Sequence, residues 1–334
     1  MGVSAGVRDV SQRVALIIGA TGQVGAYLAR LLLEKGYTVY GTSRDAALAR
    51  REGLDALGVS DRVRLHSMSP HDFQSVTQVI EGTGPDEIYN LAGQSSVALS
   101  FSQPVETLTG ITLGTLNILE VLRRLQHKAR LFNAGSSECF GETSATGANE
   151  LTAFRPKSPY GVAKAAAISL VANYREAYDL FACSGLLFNH ESPLRPIRFV
   201  TRKITTAAAR IAGGSKERLA LGNISIQRDW GWAPDYADAM WRMLQGDGAD
   251  DFVIASGVAH SLEQFAAAAF AEVDLDWQDH VDFDAGLQRP SDISHSLGEP
   301  SKAAEALDWR PRVGFKEIVA RMVRGEREGA GAVS

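Results

Sequence analysis

Short apolar runs alternate with amphipathic stretches along the first half of this chain, and that alternation restricts the folds open to it more than any other feature. VALII (Val14–Ile18), TVYGT (Thr38–Thr42), VRLHS (Val63–Ser67), EIYNL (Glu87–Leu91), ARLFNA (Ala129–Ala134) and CSGLLF (Cys183–Phe188) read as strands. The first five are near-continuous apolar segments, the kind a parallel sheet buries on both faces. Helical periodicity lies between them, as in Gln23–Gly36, Gly114–Leu125 and Pro159–Tyr178. Strand–helix alternation of this kind predicts an α/β fold built on a doubly wound parallel Rossmann sheet.

After Phe188 the pattern loosens. NHESPLRPIRFVTRKI carries too many polar groups and prolines to read as a core element. Helices are predicted at Thr201–Ala212, Tyr236–Gln245, Leu262–Val273, Lys302–Leu307 and Phe315–Arg324, with one more strand at Asp251–Ala255. The predicted organisation is a dinucleotide-binding domain over residues 13–188 plus about 229–259, with a smaller, mostly helical substrate-binding lobe over 189–228 and 260–328. Residues 1–12 and 329–334 read as disordered tails. No linker signal separates the two parts, so ligands are expected in a cleft at the carboxyl edge of the sheet.

The first strand–helix junction reads IIGATGQVGAYLA, with Gly19, Gly22 and Gly25 spaced three apart. Glycine permits the tight turn, lets backbone approach a pyrophosphate and allows helix and strand to pack closely. The helix N-terminus then offers unpaired N–H groups to the phosphates. At the end of the second strand stand Ser43, Arg44 and Asp45. An acidic residue there favours the free ribose hydroxyl of NAD, while Arg44 suits the 2′-phosphate of NADP. The reading favours NADP and keeps NAD open.

Bulk properties narrow the function further. The 334 residues carry a net charge of −5, which gives no support to nucleic-acid binding or to an anionic membrane surface. The two cysteines, Cys139 and Cys183, lack metal-ligand spacing, and no metal site is expected. They fit a reducing compartment, and a cytoplasmic location is expected. No apolar run in the sequence reads as long enough to span a bilayer, and the N-terminus lacks the apolar core of a signal peptide.

Tyr160 and Lys164 lie at i and i+4 on one predicted helix, so they share a face. The lysine's charge is expected to lower the pKa of the phenol and to hold a nicotinamide ribose, so that a tyrosinate exchanges a proton with a substrate oxygen. Ser136, at the end of the fifth strand, is placed to hydrogen-bond that oxygen. These three residues suffice for a carbonyl reductase, which leaves Glu138, two positions after Ser136, without a role.

The order of these motifs resembles the extended short-chain dehydrogenases/reductases. EKGYTVYGTSR, EIYNLAGQSSV, SPYGVAK, NYREAYDLFACSGLLFNHESP, FVTRKI, LGNISIQRDWGWAPDYADAMW, DFVIASG and LDWRPRV are similar, within that group, to the GDP-mannose 4,6-dehydratase family, over nearly the whole chain after Val14. The resemblance implies a hydro-lyase that converts GDP-mannose to its 4-keto-6-deoxy derivative, with Ser136, Glu138, Tyr160 and Lys164 as catalytic residues. It implies that Glu138 removes the C5 proton and protonates the departing C6 hydroxyl. It implies cofactor contacts from Gly19, Thr21, Gly22, Gln23, Val24, Gly25, Arg44, Leu91, Ala92, Gln94, Ser95, Tyr160, Lys164, His190 and Arg195. It implies substrate contacts from Ser95, Asn189, Val200, Lys203, Leu221, Gly222, Asn223 and Asp292, with Arg228 and Arg289 suited to the diphosphate.

The chain departs from the family pattern at several points. Met68-Ser69 stand where the family has Gly-Asp, Ser96 where it usually has His, and Asp45 where it has a second arginine. The segments after Arg44 and before Arg289 are shorter than usual. The resemblance implies a homo-oligomer, and these departures leave dimer and tetramer both open. Two alternatives remain for the activity: a dehydratase of a related GDP-sugar such as a GDP-heptose, or a nucleotide-sugar reductase or epimerase. A non-catalytic dinucleotide sensor is a further class, and the presence of both Tyr160 and Lys164 speaks against it.

Overall fold

Residues 13–287 and 291–328 are described by the computed structural model, so the tails at 1–12 and 329–334 and the residue Arg289 lie outside it. Among the described residues thirteen strands run in chain order: β1 (Val14–Ile18), β2 (Thr38–Ser43), β3 (Arg64–Ser67), β4 (Glu87–Asn90), β5 (Arg130–Ala134), β6 (Ala182–Leu187), β7 (Asn189–Glu191), β8 (Leu219–Leu221), β9 (Gln227–Trp232), β10 (Phe252–Ile254), β11 (Ala259–Ser261), β12 (Val281–Phe283) and β13 (His295–Ser296). Seven of them form one sheet in the order β3-β2-β1-β4-β5-β6-β10, every pair parallel. The order reverses between β1 and β4, and it is at such a switch point that open α/β sheets take ligands beyond the strands' carboxyl ends.

Residue alternation along β1 shows why the strands read as apolar throughout. Ala15 and Ile17 enter the core on one face, beneath helices α1 (Gln23–Glu34) and α9 (Ala233–Met243). Leu16 and Ile18 enter the core on the other face, with Ile80, Ile118 and Val171. Those three come from α3 (Phe73–Thr83), α6 (Gly114–Arg124) and α7 (Pro159–Tyr178). Both faces are covered, so neither parity of residue meets water. The remaining helices are α2 (Glu52–Ala56), α4 (Val97–Ser102), α5 (Pro104–Leu108), α8 (Val200–Ala212), α10 (Leu262–Ala271), α11 (Ser301–Ala306) and α12 (Phe315–Arg327).

A second core forms where α8, α10 and α12 pack on β9, with Ile204, Trp230, Phe265, Ile318 and Met322 at its centre. The segment after Phe188, read as too polar for the core, contributes β7, which pairs with β9, and its Glu191 and Ser192 are fully buried. Part of this polar surface is partnered inside: Thr201 Oγ1 donates to Glu191 Oε2, and Ser192 Oγ donates to Gln23 Oε1.

The helix pattern around Gly114 is also longer than the sequence reading. A π-helical turn at Thr109–Leu113 joins α5 to α6 in one run from Pro104 to Arg124. By length and composition alone this run is long and apolar enough to cross a membrane, and half of it is buried against the rest of the chain, as in a core helix. The π turn has a local use. It packs Ile111 into a cluster with Tyr160, Ala163 and Ala167, and Thr112 Oγ1 donates to the Ala163 carbonyl at 3.1 Å.

Candidate active site

A cleft of about 500 Å³ opens at the carboxyl edge of the sheet. Its floor is the β1–α1 turn. Gly19 has φ +92°, and a Cβ on Gly25 would sit 2.4 Å from the Gly19 carbonyl oxygen. Only glycine tolerates both conditions, and the result is bare backbone at the start of α1, fit for a diphosphate. Gly22, Gln23 and Val24 line the same floor, and Leu91, Gln94 and Ser95 line it from the loop after β4. Gln23 also ties the turn to β7: its Nε2 donates to the His190 carbonyl at 2.9 Å.

Above the floor, β5 ends at Ala134, and the chain turns through Ser136 and Glu138. Helix α7 crosses this turn. Ser158 caps it by accepting the Gly161 N–H, with Pro159 at its first position. The cap fixes where Tyr160 and Lys164 begin their shared face. The Ser136 hydroxyl is near enough to the Tyr160 phenol to favour its ionised form. Lys164 Nζ donates to the Ala134 carbonyl at 2.6 Å. Gly161 packs directly against the turn, where a Cβ would lie 2.7 Å from the Glu138 carbonyl oxygen. Ser136, Glu138, Tyr160 and Lys164 all line the cleft.

Burial sets the electrostatics here. It pushes the Tyr160 phenol above its usual range, with the Ser136 hydroxyl and Arg195 acting in the other direction. This departs from the expectation that Lys164 lowers it. Lys164 is itself buried and brought down to about 8, and its ammonium is directed at the Ala134 carbonyl. His190 is lowered to about 4 by burial and by Arg195, so its imidazole is neutral at pH 7.

The far end of the cleft is lined by Asn189, His190, Arg195, Val200, Lys203, Leu221, Gly222 and Arg228. Five residues singled out from the sequence do not line it. Ala92 packs under Gly19, and Thr21 sits within the glycine turn. Arg44 is exposed beyond the end of β2. Asn223 accepts from the Ser225 N–H and hydroxyl, which makes it a turn-former. Asp292 directs its carboxylate to Arg228 Nη2, 3.0 Å away. Arg289 lies outside the described residues. Two charged residues that the sequence reading missed do line the cleft: Glu191 and Arg198. Arg198 reaches toward Ser95 Oγ at 3.5 Å, and its only sequence signal was its closeness to Arg195. Among the described residues no cluster of His, Cys, Asp or Glu is suited to a metal.

A sequence model of the family described as GDP-mannose 4,6 dehydratase matches residues 16–322. The GDP-mannose 4,6 dehydratase 1 of Arabidopsis thaliana is 43% identical, over 95% of this chain and 90% of its own length. The chain belongs to the GDP-mannose 4,6-dehydratase family. The bacterial member from Sinorhizobium fredii is 40% identical, over 94% of this chain and 96% of its own length. Among solved structures, the UDP-glucose 4-epimerase of Thermus thermophilus, in complex with NAD, superposes with a TM-score of 0.83 at 25% identity. That match covers 94% of this chain and 99% of the epimerase. As a GDP-mannose 4,6-dehydratase family member the chain is a hydro-lyase acting on a nucleotide sugar.

Proposed function

We propose that this chain converts GDP-mannose to GDP-4-keto-6-deoxymannose with NADP as its resident cofactor. The observation that carries the reading is the placement of Glu138 in one cleft with Ser136, Tyr160 and Lys164, beside the glycine turn. A nicotinamide dinucleotide bound on that turn would supply a hydride acceptor at C4 and a donor at C6. The chain's own residues do the rest. Tyr160, in its tyrosinate form, accepts the proton from O4 while Ser136 hydrogen-bonds the oxygen. The resulting ketone acidifies the C5 proton, which the Glu138 carboxylate removes. The carboxylic acid so formed protonates the C6 hydroxyl, which departs as water. A hydride lost at C4 is regained at C6, so the sugar undergoes no net oxidation.

The cofactor reading rests on the β2 end. Asp45 Oδ1 accepts from the Ala47 and Leu48 N–H groups at 2.9 and 3.1 Å, which folds that carboxylate onto its own loop. That leaves the exposed Arg44 free to meet a 2′-phosphate at the end of β2. Titration calorimetry of Arg44→Ala checks this: NADP affinity should fall by about 10-fold or more while NAD affinity holds. An equal loss of both would leave Arg44 without that role.

We also propose a homo-oligomer. Val105, Leu108, Leu113 and Val162 expose apolar side chains on α5, the π turn and α7, a face that a second copy of the chain would cover. A cytoplasmic location fits the two free, buried thiols, of which Cys139 is pushed up to about 12 by burial. The deciding experiment is incubation of purified protein with GDP-mannose. A GDP-4-keto-6-deoxy product with no build-up of NADPH supports the reading. Accumulating NADPH or an epimer of the substrate would transfer the chain to the reductase or epimerase alternative.

A further inference from the structure

Glu191 stands at the end of β7, fully buried, and lines the cleft. A buried carboxylate is destabilising unless it is paired and hydrogen-bonded. Its Oε2 accepts from Thr201 Oγ1 at 2.7 Å and lies 3.3 Å from Arg195 Nε. Its Oε1 is buried and has no hydrogen-bond partner among the described residues. An apolar side chain would fill this place at no such penalty, so packing alone does not account for an acid here.

Arg195 explains it. Its guanidinium lies over the Phe199 ring, 3.7 Å from the centroid, with Glu191 at its Nε. The Nε makes no hydrogen bond among the described residues, so the Glu191 contact is an ion pair that draws the group to one side, while the phenyl ring covers one face. Its terminal nitrogens make no hydrogen bond to another described residue. Arg198 lies on the same Phe199 ring at 5.0 Å and has no carboxylate in ion-pair contact among the described residues. Two like charges on one ring repel, and Glu191 is the group that holds Arg195 in place against Arg198.

We propose that Glu191 is a positioning residue: it fixes Arg195 so that the terminal N–H fork meets a diphosphate in the cleft. Arg195 shares this cleft with Gly19, Gly22 and Gly25, and a planar guanidinium pairs with phosphoryl oxygens in a two-point fashion. The inference rests on the reading of the cleft as a site for a dinucleotide and a GDP-sugar. Both ligands carry a diphosphate, so the test separates them.

Glu191→Gln keeps the shape and removes the charge. Dissociation constants for NADPH and, separately, for GDP are measured on wild type, Glu191→Gln, Arg195→Ala and the double variant. Glu191→Gln should weaken one of the two ligands by about 10- to 100-fold, with the loss in KM rather than in kcat. The double variant should bind that ligand no worse than Arg195→Ala alone. NADPH as the weakened ligand assigns Arg195 to the cofactor diphosphate, and GDP assigns it to the nucleotide sugar. Unchanged binding of both, or losses that add in the double variant, would make Glu191 a packing group and overturn the proposal. If Glu191→Gln does not fold, Thr201→Val decides by the same cycle, because it frees the carboxylate without removing it. Neither binding measurement uses turnover, so a failure of the GDP-mannose reading leaves this outcome interpretable.

Discussion

The Lys164 ammonium is bound 2.6 Å from the carbonyl oxygen of Ala134, the last residue of β5. This contact helps join helix α7 to the strand end from which Ser136 and Glu138 project, and a protonated lysine makes it the stronger, charge-assisted bond. Because burial brings Lys164 down to about 8, the contact is pH-sensitive in an accessible range. The turnover number should hold below pH 8 and fall as pH rises through it. Stability should move the other way. The folded state gives up this proton near 8 and the unfolded chain near the ordinary lysine value of 10.5, so between them the unfolded state binds more protons and this group's contribution favours the fold as pH rises. Circular dichroism recorded alongside the pH–rate profile separates the two. A loss of activity that tracks unfolding would remove Lys164 from the explanation.

Gly161 controls how closely α7 approaches the catalytic turn. A Cβ there would stand 2.7 Å from the Glu138 carbonyl oxygen, and that atom is backbone, which cannot swing aside. Gly161→Ala should displace Glu138 while leaving the glycine turn untouched. Sub-ångström displacements of a catalytic group lower rates steeply, so turnover should fall by about 10- to 100-fold. NADPH affinity, measured by fluorescence, should stay within about threefold of wild type. A variant with full turnover would show that the turn accommodates the extra methyl.

The pair Arg228–Asp292 joins β9 to the segment that leads into β13, with the Arg228 side chain only 6% exposed. Removing the acid leaves a buried cation with less compensation. Asp292→Ala should reduce stability by about 1–3 kcal/mol and weaken GDP binding through Arg228. Urea unfolding and GDP titration measure the two effects. Asp292→Ala with unchanged GDP affinity would detach the pair from the nucleotide site.

Much of this was legible in the sequence, for physical reasons that differ between parts of the chain. Helix α7 was readable from end to end because Ser158 and Pro159 mark its start locally. The parallel strands were readable because burial on both faces makes them apolar throughout. The short strands β7, β8, β9, β11, β12 and β13 were not. Their pairing is long-range, as in Ser296 beside Arg228, and leaves no periodic trace in so few residues. Glu191 was missed for a related reason. A buried carboxylate looks polar in sequence, and only the fold brings Thr201 and Arg195 to it. The pKa of Tyr160 was misread because the sequence shows the neighbouring charge but not the burial that outweighs it.

Glu138 should separate the reaction into its halves. It lines the cleft two residues after Ser136, whose hydroxyl accepts the Glu138 N–H at 3.3 Å, and the Cys139 and Phe140 N–H groups bond the Ser136 and Ser137 carbonyls across the same turn. Glu138→Gln should therefore preserve the turn. In the proposed mechanism oxidation at C4 depends on Tyr160, Ser136 and Lys164, and it should survive. In the same mechanism removal of the C5 proton and loss of water depend on the carboxylate, and they should fail. A general acid–base group is worth about 10²–10⁴ in rate, and one group serving both roles belongs at the upper end. Tyr160→Phe should instead block the first hydride transfer. Single-turnover reactions with C5-deuterated GDP-mannose, followed by NADPH absorbance and by exchange at C5, distinguish the two variants. The assignment fails if Glu138→Gln exchanges C5 at the wild-type rate, or if it abolishes NADPH formation as completely as Tyr160→Phe does.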